Sequence, residues 1–339
     1  MIRVAEGRVV GLGPRRRGAT HLIVELDGRN EPAVAYTGLV GEPLEGDLVM
    51  CNTTAVDLRL GTGGLHLVVS ILGRELRQGS DGHGMKLRYS PSQVAVTCVE
   101  ETHPDAFSSD DPLDIPVIVL PLHSLLAPVA VTAQSIRPGL KIAYVMSDQG
   151  ALPIAFSSLV SQLLDDGTLS TTVTAGQSFG GHHEAVTVAS GLIAAERVAG
   201  ADLVLVGMGP GNLGTGTRFG FAGLDLANSV MQSLAVGAAP VVCARLSDAD
   251  PRDRHRGLSH HLRTALEVAP PGWRLALPQM PAGFSWSPDP PQPYETVGTE
   301  PFMPALHARS ELMHSMGRGL ADDPWFFRAG AAAAALALR

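Results

Sequence analysis

The most informative segment of the sequence is residues 201–220, which are Ala201-Asp202-Leu203-Val204-Leu205-Val206-Gly207-Met208-Gly209-Pro210-Gly211-Asn212-Leu213-Gly214-Thr215-Gly216-Thr217-Arg218-Phe219-Gly220. The apolar run from Leu203 to Val206 is typical of a strand buried on both faces of a sheet. Six glycines, two threonines, one asparagine and one arginine follow it. Glycine is favoured where the backbone needs positive φ or where a ligand approaches the main chain. The segment therefore predicts a buried strand that leads into a binding loop.

Similar apolar runs alternate with helical patterns through the second half of the chain. Strands are predicted at residues 117–120, 142–146, 169–174, 203–206 and 241–244, and helices at residues 122–134, 151–165, 184–199 and 221–236. This alternation implies right-handed βαβ units. We expect a Rossmann-like α/β fold in which a parallel sheet is covered by helices on both faces.

The N-terminal part has a different pattern. Short β-rich runs at residues 4–12, 21–26, 33–37, 47–51 and 65–72 are separated by glycine-containing turns. They predict a small N-terminal β-barrel of the OB or SH3-like type, and a further strand is predicted at residues 94–99. The polar segment 101–113 suggests a boundary between a barrel-like domain at 1–113 and an α/β domain at 114–339.

The C-terminal part combines a long loop with helices. Residues 281–304 contain seven prolines and four aromatic residues, which predicts an irregular loop that acts as a lid or as a clamp across the surface. Residues 305–320 and 325–338 are predicted to be helical. The last helix is almost entirely alanine and leucine, so we expect its burial against its own domain or in a homodimer interface.

Composition limits the class of protein. The 339 residues carry a net charge of −8, which disfavours a general nucleic-acid binder, although a barrel and Arg15-Arg16-Arg17 leave that alternative open. No aromatic stacking platform accompanies these arginines. The three cysteines (Cys51, Cys98 and Cys243) form no CxxC motif and favour a reducing compartment. No signal peptide or membrane span is predicted, so we expect a cytoplasmic protein.

Polar and glycine-rich residues follow every predicted strand of the parallel sheet. Because the carboxyl ends of parallel strands share one edge, these residues predict a functional site there. The candidate catalytic residues are His182, His183, His255, His260 and His261, with Asp148 in support. The candidate anion-binding residues are Gly209, Gly211, Asn212, Gly214, Thr215, Gly216, Thr217, Arg218 and Arg256.

The histidines also suggest a divalent metal. His255, His260, His261 and Asp253 combine imidazole and carboxylate groups that suit zinc, manganese or iron. Three structural alternatives stay open, in which Ser259 caps a helix, Asp253 pairs with Arg256, and some of the histidines hydrogen-bond the backbone. General acid–base catalysis by one histidine is a separate hypothesis.

Established motifs fit the glycine loop poorly. Gly209 to Gly214 matches GxGxxG, but the further glycines that follow prevent a helix from opening where a pyrophosphate would bind. A P-loop would need lysine where Thr215 stands. GxSxG is absent from the sequence, which argues against an α/β-hydrolase.

Several segments together resemble a bacterial family, domain of unknown function 3866. They are Gly84-Met85-Lys86-Leu87-Arg88-Tyr89, Gly150-Ala151-Leu152-Pro153, Met208-Gly209-Pro210-Gly211, Gly214-Thr215-Gly216-Thr217 and His255-Arg256-Gly257-Leu258-Ser259-His260-His261. The resemblance covers nearly the whole chain and implies a bacterial cytosolic protein. It supplies no catalytic assignments.

From the residues themselves we expect an enzyme that binds a small anionic, phosphorylated or nucleotide-like ligand. It would catalyse hydrolysis or group transfer with histidine or metal assistance, as a homo-oligomer such as a dimer. The alternatives are a non-catalytic sensor or scaffold and a nucleic-acid-associated protein.

Overall fold

The computed structural model describes residues 2–61, 63–76, 82–284 and 288–339. Within them the chain forms two compact units. The first comprises Met1–Thr97 with Ala155–Ser161, and the second comprises Cys98–Ile154 with Gln162–Arg339.

The first unit contains a closed five-stranded β-barrel. Its strands are β1 (Val4–Arg16), β2 (Ala19–Leu26), β3 (Arg29–Tyr36), β4 (Leu48–Asn52) and β5 (His66–Ile71). They are ordered β1-β2-β3-β5-β4, and β4 pairs with β1 to close the barrel. The pairs are antiparallel except that β3 runs parallel to β5. This order is that of an OB barrel, so a barrel of the predicted kind is confirmed.

Alternation of apolar and polar residues builds the barrel core. In β2, buried Leu22, Val24 and Leu26 alternate with outward-facing Ile23 and Glu25, as the period of a strand requires. Register shifts along β1 bend that long strand around the barrel. The short helices α1 (Thr37–Val40) and α2 (Thr54–Asp57) connect strands, and β6 (Gly84–Lys86) pairs with β7 (Val94–Val96) in a separate hairpin.

The second unit is an α/β fold. Its strands are β8 (Val117–Val119), β9 (Ile142–Ser147), β10 (Thr171–Thr174), β11 (His183–Glu184), β12 (Leu203–Met208), β13 (Val241–Cys243), β14 (Leu246–Ser247), β15 (Gly257–Leu258), β16 (Arg274–Pro278), β17 (Tyr294–Val297), β18 (His314–Ser315) and β19 (Arg318–Gly319). Eight of them form one sheet in the order β11-β10-β9-β12-β8-β13-β16-β17, and every neighbouring pair is parallel. The predicted parallel sheet is confirmed.

Helices cover both faces of this sheet. The chain's remaining helices are α3 (Val99–Thr102), α4 (Leu126–Ile136), α5 (Ser158–Asp165), α6 (Val188–Ile193), α7 (Asp225–Ala235), α8 (His260–Val268), α9 (Met303–Ala308) and α10 (Pro324–Ala337). α4 packs with α9 and α10 in one layer, whereas α7 packs between α6 and α8 in the other. The chain runs from β8 to β9 in one direction along the sheet and from β12 to β13 in the other. Because both crossovers are right-handed, the helices that follow β8 and β12 lie on opposite faces. Within the described residues, no helix has both the length and the apolar character needed to cross a membrane.

The structure also departs from the sequence-based expectations. Residues 294–297 form the edge strand β17 inside the segment expected to be an irregular loop, and β16 precedes it. Residues 305–320 do not form one helix, because α9 ends at Ala308 and the β18–β19 hairpin follows. The alanine-rich α10 is buried within its own unit, where it packs on α4 and β16.

The contact between α10 and α4 generates the first prediction. A Cβ on Gly330 would lie 2.8 Å from Cβ and Cγ of Pro128, inside the normal contact distance. We expect Gly330→Ala to lower the free energy of unfolding by about 2 kcal/mol, because overpacking outweighs the gain in helix propensity. Urea denaturation measures the change. Gly38→Ala in α1 is the control, since a Cβ there meets no atom within 4 Å; equal stabilities of the two variants would contradict the prediction.

A second prediction concerns His123, which follows β8. Its Nδ1 lies 3.2 Å from the hydroxyl of Tyr144, a buried residue of β9. Burial lowers the pKa of His123 to about 4. The unfolded chain therefore binds a proton at His123 more readily than the folded chain does. As a result, the free energy of unfolding is highest above about pH 6.5 and falls as the pH drops toward 4.

We expect the titration of His123 alone to lower the free energy of unfolding by about 2 kcal/mol between pH 7.5 and pH 5. His123→Asn, which does not titrate, should show a smaller loss of unfolding free energy over that interval. Urea denaturation at the two pH values tests this, with exposed His307→Asn as the control. Equal pH dependence of His123→Asn and the wild type would refute it.

Candidate functional site

A narrow pocket opens at the carboxyl edge of the parallel sheet. Seven residues line it: Pro121, Asn212, Gly223, Leu226, Arg245, His261 and Leu262. They come from the ends of the neighbouring strands β8 and β13, from the glycine loop after β12, and from the first turns of α7 and α8. β8 leads to one helix layer and β13 to the other, so a crevice forms between them, which is the usual ligand position in an open α/β sheet.

Arg245 is the charged residue of this pocket. It follows β13 by two positions and is only 5% exposed. Its Nη1 lies 3.3 Å from Nδ1 of His261. Within the described part of the chain, no carboxylate lies within ion-pair distance of its guanidinium. Burial and the neighbouring Arg252 lower the pKa of Arg245 to about 10, so the side chain stays charged at neutral pH. Arg245 is therefore a buried cation without an anion.

Three of the predicted histidines meet beside Arg245. The ring centroids of His260 and His261 are 4.3 Å apart, and His255 lies 4.9 Å from His260 and 4.7 Å from His261. Phe221 stacks on His261 with the centroids 3.9 Å apart and the rings parallel within 1°. This stacking fixes the plane of the His261 ring at the wall of the pocket.

Ser259 links the histidines to the start of α8. Its Oγ accepts a hydrogen bond from the backbone N–H of His261 and so caps the helix. The same oxygen lies 2.8 Å from Nδ1 of His255, which is 2% exposed. Ser259 is completely buried, so its hydroxyl positions the cluster and is not placed to act as a nucleophile.

Burial and nearby positive charges lower the pKa of all three histidines. Burial, followed by Arg245, lowers the pKa of His255 to about 3. Burial and the adjacent His260 lower the pKa of His261 to about 4, and burial with Arg254 lowers that of His260. All three rings are consequently uncharged at neutral pH and keep a nitrogen lone pair.

A network of buried ion pairs holds the loop that carries the cluster. Asp250 is 1% exposed, and Arg252 donates to both of its oxygens at 2.9 Å. Arg318 donates to Asp323 at 3.1 Å, and Ser247 donates to the same carboxylate at 2.6 Å. The ion pair between Arg318 and Asp250, at 3.6 Å, ties the segment between β14 and β15 to the β18–β19 hairpin. Arg252 holds the pKa of Asp250 well below its usual range.

Most residues of the glycine loop do not reach the pocket. Residues 211–219 are exposed, and Thr215 donates from both its backbone N–H and its hydroxyl to the carbonyl of Gly220. The hydroxyl of Thr217 lies 3.0 Å from that of Thr215, so the two threonines stabilise a hairpin. Arg218 pairs with Glu267 at 2.8 Å.

Two other parts of the loop have distinct positions. Gly209 lies against the backbone of the segment after β9, where a Cβ would meet the carbonyl of Ala151 at 2.8 Å. A Cβ on Gly214 would lie 3.7 Å from the ring of His261. Of the nine candidate anion-binding residues, Asn212 lines the pocket and Gly214 lies against His261, which also lines it. Gly211, Gly216 and Arg256 do not line the pocket.

The remaining candidate residues lie elsewhere along the sheet edge. His182 contacts Thr172 of β10 through Nδ1, and His183 belongs to β11. Strands β9, β12 and β8 separate β10 from β13, which amounts to roughly 19 Å at about 4.8 Å per strand. Asp148 accepts a hydrogen bond from the backbone of Gln177. Asp253 is exposed and does not belong to the group of three close histidines.

Sequence reasoning overlooked Arg245, Arg254 and Phe221. Arg245 could have been found, because an arginine directly after an apolar strand is a charge at the border of a buried sheet. Phe221 gave no such signal, since a single aromatic residue after a glycine loop is equally consistent with ordinary packing.

Comparison with known proteins places the chain in a family. The family described as Protein of unknown function (DUF3866) matches residues 32–334, which include the pocket, the histidine cluster and all eight strands of the parallel sheet. A comparison with curated proteins found no match. Because the match covers most of the chain, this protein belongs to the DUF3866 family.

Proposed function

We propose that the α/β unit binds a small anionic ligand, such as a phosphorylated metabolite, in the crevice between β8 and β13. The observation that carries this proposal is the buried guanidinium of Arg245, which has no carboxylate partner among the described residues. A buried unpaired charge costs several kcal/mol, and a bound phosphate or carboxylate would offset that cost. Arginine also suits such groups geometrically, because its planar fork binds two oxygens at once.

The surroundings of Arg245 support the same ligand class. The pocket includes residues from the first turns of α7 and α8, where the positive end of the helix dipole favours an anion. Arg252 and Arg254 add positive potential, which Asp250 reduces in part. Asn212 supplies an amide for a neutral polar group of the ligand.

We further propose that the protein is an enzyme that acts on this ligand by hydrolysis or group transfer. Uncharged histidines next to a bound anion offer groups that accept protons or activate water. A sensor would need the anion-binding pocket, but it would not need a cluster of three neutral histidines of which one, His261, lines that pocket. Release of inorganic phosphate from a panel of phosphate monoesters separates the two functions.

Anion binding gives the third prediction. Inorganic phosphate at about 100 times its Kd should stabilise the wild type by about 2.7 kcal/mol. Arg245→Met should lose this stabilisation, while its unfolding free energy without phosphate stays equal or rises because a buried charge has been removed. Urea denaturation with and without phosphate measures both effects.

Arg137→Met is the matched control, since it also removes one positive charge but lies exposed at the end of α4. It should retain the full response to phosphate. The pocket assignment would be wrong if Arg245→Met responded to phosphate as strongly as this control.

A further inference from the structure

The histidine cluster has a geometry that anion binding does not require. One ring nitrogen from each of His255, His260 and His261 lies within 4.8 Å of the other two. In the described ranges, no other group of three or more histidine, cysteine or acidic side chains comes this close together. We infer that these three histidines bind a divalent transition metal of the zinc type, for which neutral imidazole is a preferred ligand.

His255 and His260 can each offer Nε2 to a metal ion. Nε2 of His260 is buried and has no hydrogen-bond partner among the described residues. A buried polar atom without a partner is costly, and a metal ion would use its lone pair. Nδ1 of His255 lies 2.8 Å from Oγ of Ser259, and when Nδ1–H donates to this oxygen, the lone pair of Nε2 is available to a metal. Metal-binding histidines are commonly oriented by such a bond to the second ring nitrogen.

Arg245 competes with the metal for His261. A guanidinium only donates hydrogen bonds, so the 3.3 Å contact makes Nδ1 of His261 the acceptor. In a neutral ring the other nitrogen then carries the proton and cannot coordinate a metal. His261 becomes the third ligand only when Arg245 leaves it. The metal and Arg245 are therefore expected to exclude each other at this ring.

The required movement is small. Zn–N bonds of 2.0–2.1 Å in a tetrahedral site place ligand nitrogens about 3.4 Å apart. The three nitrogens, now at most 4.8 Å apart, would need to approach by at most about 1.4 Å. His261 can move in its own plane across Phe221 without losing the stacking contact. Three histidines would leave a fourth position open for water or a ligand atom.

An anion in the pocket would promote metal binding. Phosphate would draw the guanidinium of Arg245 away from His261 and would offset the repulsion between the metal and Arg245. Such coupling is reciprocal, so the metal would raise the affinity for phosphate by the same factor. This coupling rests on the proposed function, whereas the metal site itself does not.

The test is a cobalt(II) titration of the full-length, untagged, EDTA-treated protein, followed by visible absorption. The wild type should bind one equivalent with the intense bands of tetrahedral cobalt, and Zn²⁺ should displace it. His260→Ala should weaken Co²⁺ binding by at least about 100-fold, since one of three ligands is lost. His307→Ala, which removes an exposed histidine of α9, should not change it.

Arg245→Met should change the affinity for Co²⁺ in the opposite direction to His260→Ala. It should bind Co²⁺ about 10-fold more tightly than the wild type, because the competing donor and its charge are gone, although it no longer responds to phosphate. Phosphate should tighten Co²⁺ binding in the wild type and have a much smaller effect in this variant. Unchanged or weaker binding in Arg245→Met would overturn His261 as the third ligand.

The metal site would be overturned if the wild type bound no Co²⁺, or if His260→Ala bound it as tightly as the wild type. Stabilisation of His260→Ala by phosphate verifies that this variant is folded. The same measurement separates the two proposals. A wild type that responds to phosphate but binds no metal would refute the metal site alone, and one that binds metal but ignores phosphate would refute the anion site alone.

Discussion

Burial of the parallel sheet on both faces constrains the rest of the second unit. Every residue of β8, β9, β12 and β13 is buried, so these strands carry no charged side chain. Charged groups in strands of this kind are restricted to the ends. Since all eight strands are parallel, the carboxyl ends share one edge, and loops from separate parts of the chain meet there. The position of the pocket follows from this constraint.

Arg245 stands out because the charges around it are paired. Asp250 and Asp323 are as deeply buried, and each accepts hydrogen bonds from a guanidinium. The fold thus provides carboxylate partners for Arg252 and Arg318 within the same few loops, whereas none of the described carboxylates pairs with Arg245. An unpaired charge in a network that pairs its neighbours is better explained by a ligand than by stability, since an apolar side chain would fit the site at lower cost.

The sequence predicts the sheet better than it predicts the site. Uncharged β-branched runs such as Leu203 to Val206 admit few alternatives to a buried strand, whereas the polar edge strand β17 gives no comparable signal. Strand order depends on packing, so the sequence does not show that three strands separate β10 from β13 and that His182 is remote from His255. A glycine loop around an anion and a solvent-exposed hairpin both need positive φ, as at Gly211 and Gly216, and composition does not separate them.

Charge balance connects the two proposed sites. A divalent cation at the histidine cluster would lie close to the guanidinium of Arg245, and two such charges repel each other strongly at low effective dielectric. An anion between the metal ion and the guanidinium would offset this repulsion, because each cation is then attracted to the same oxygens. The contact between Arg245 and Nδ1 of His261 fits the state without a ligand, in which the lone pair of the ring partly satisfies the guanidinium. Metal and anion would thus be most stable as a pair, and a phosphate oxygen bound to both cations would withdraw electrons from phosphorus, which would favour attack on that atom by water or another nucleophile.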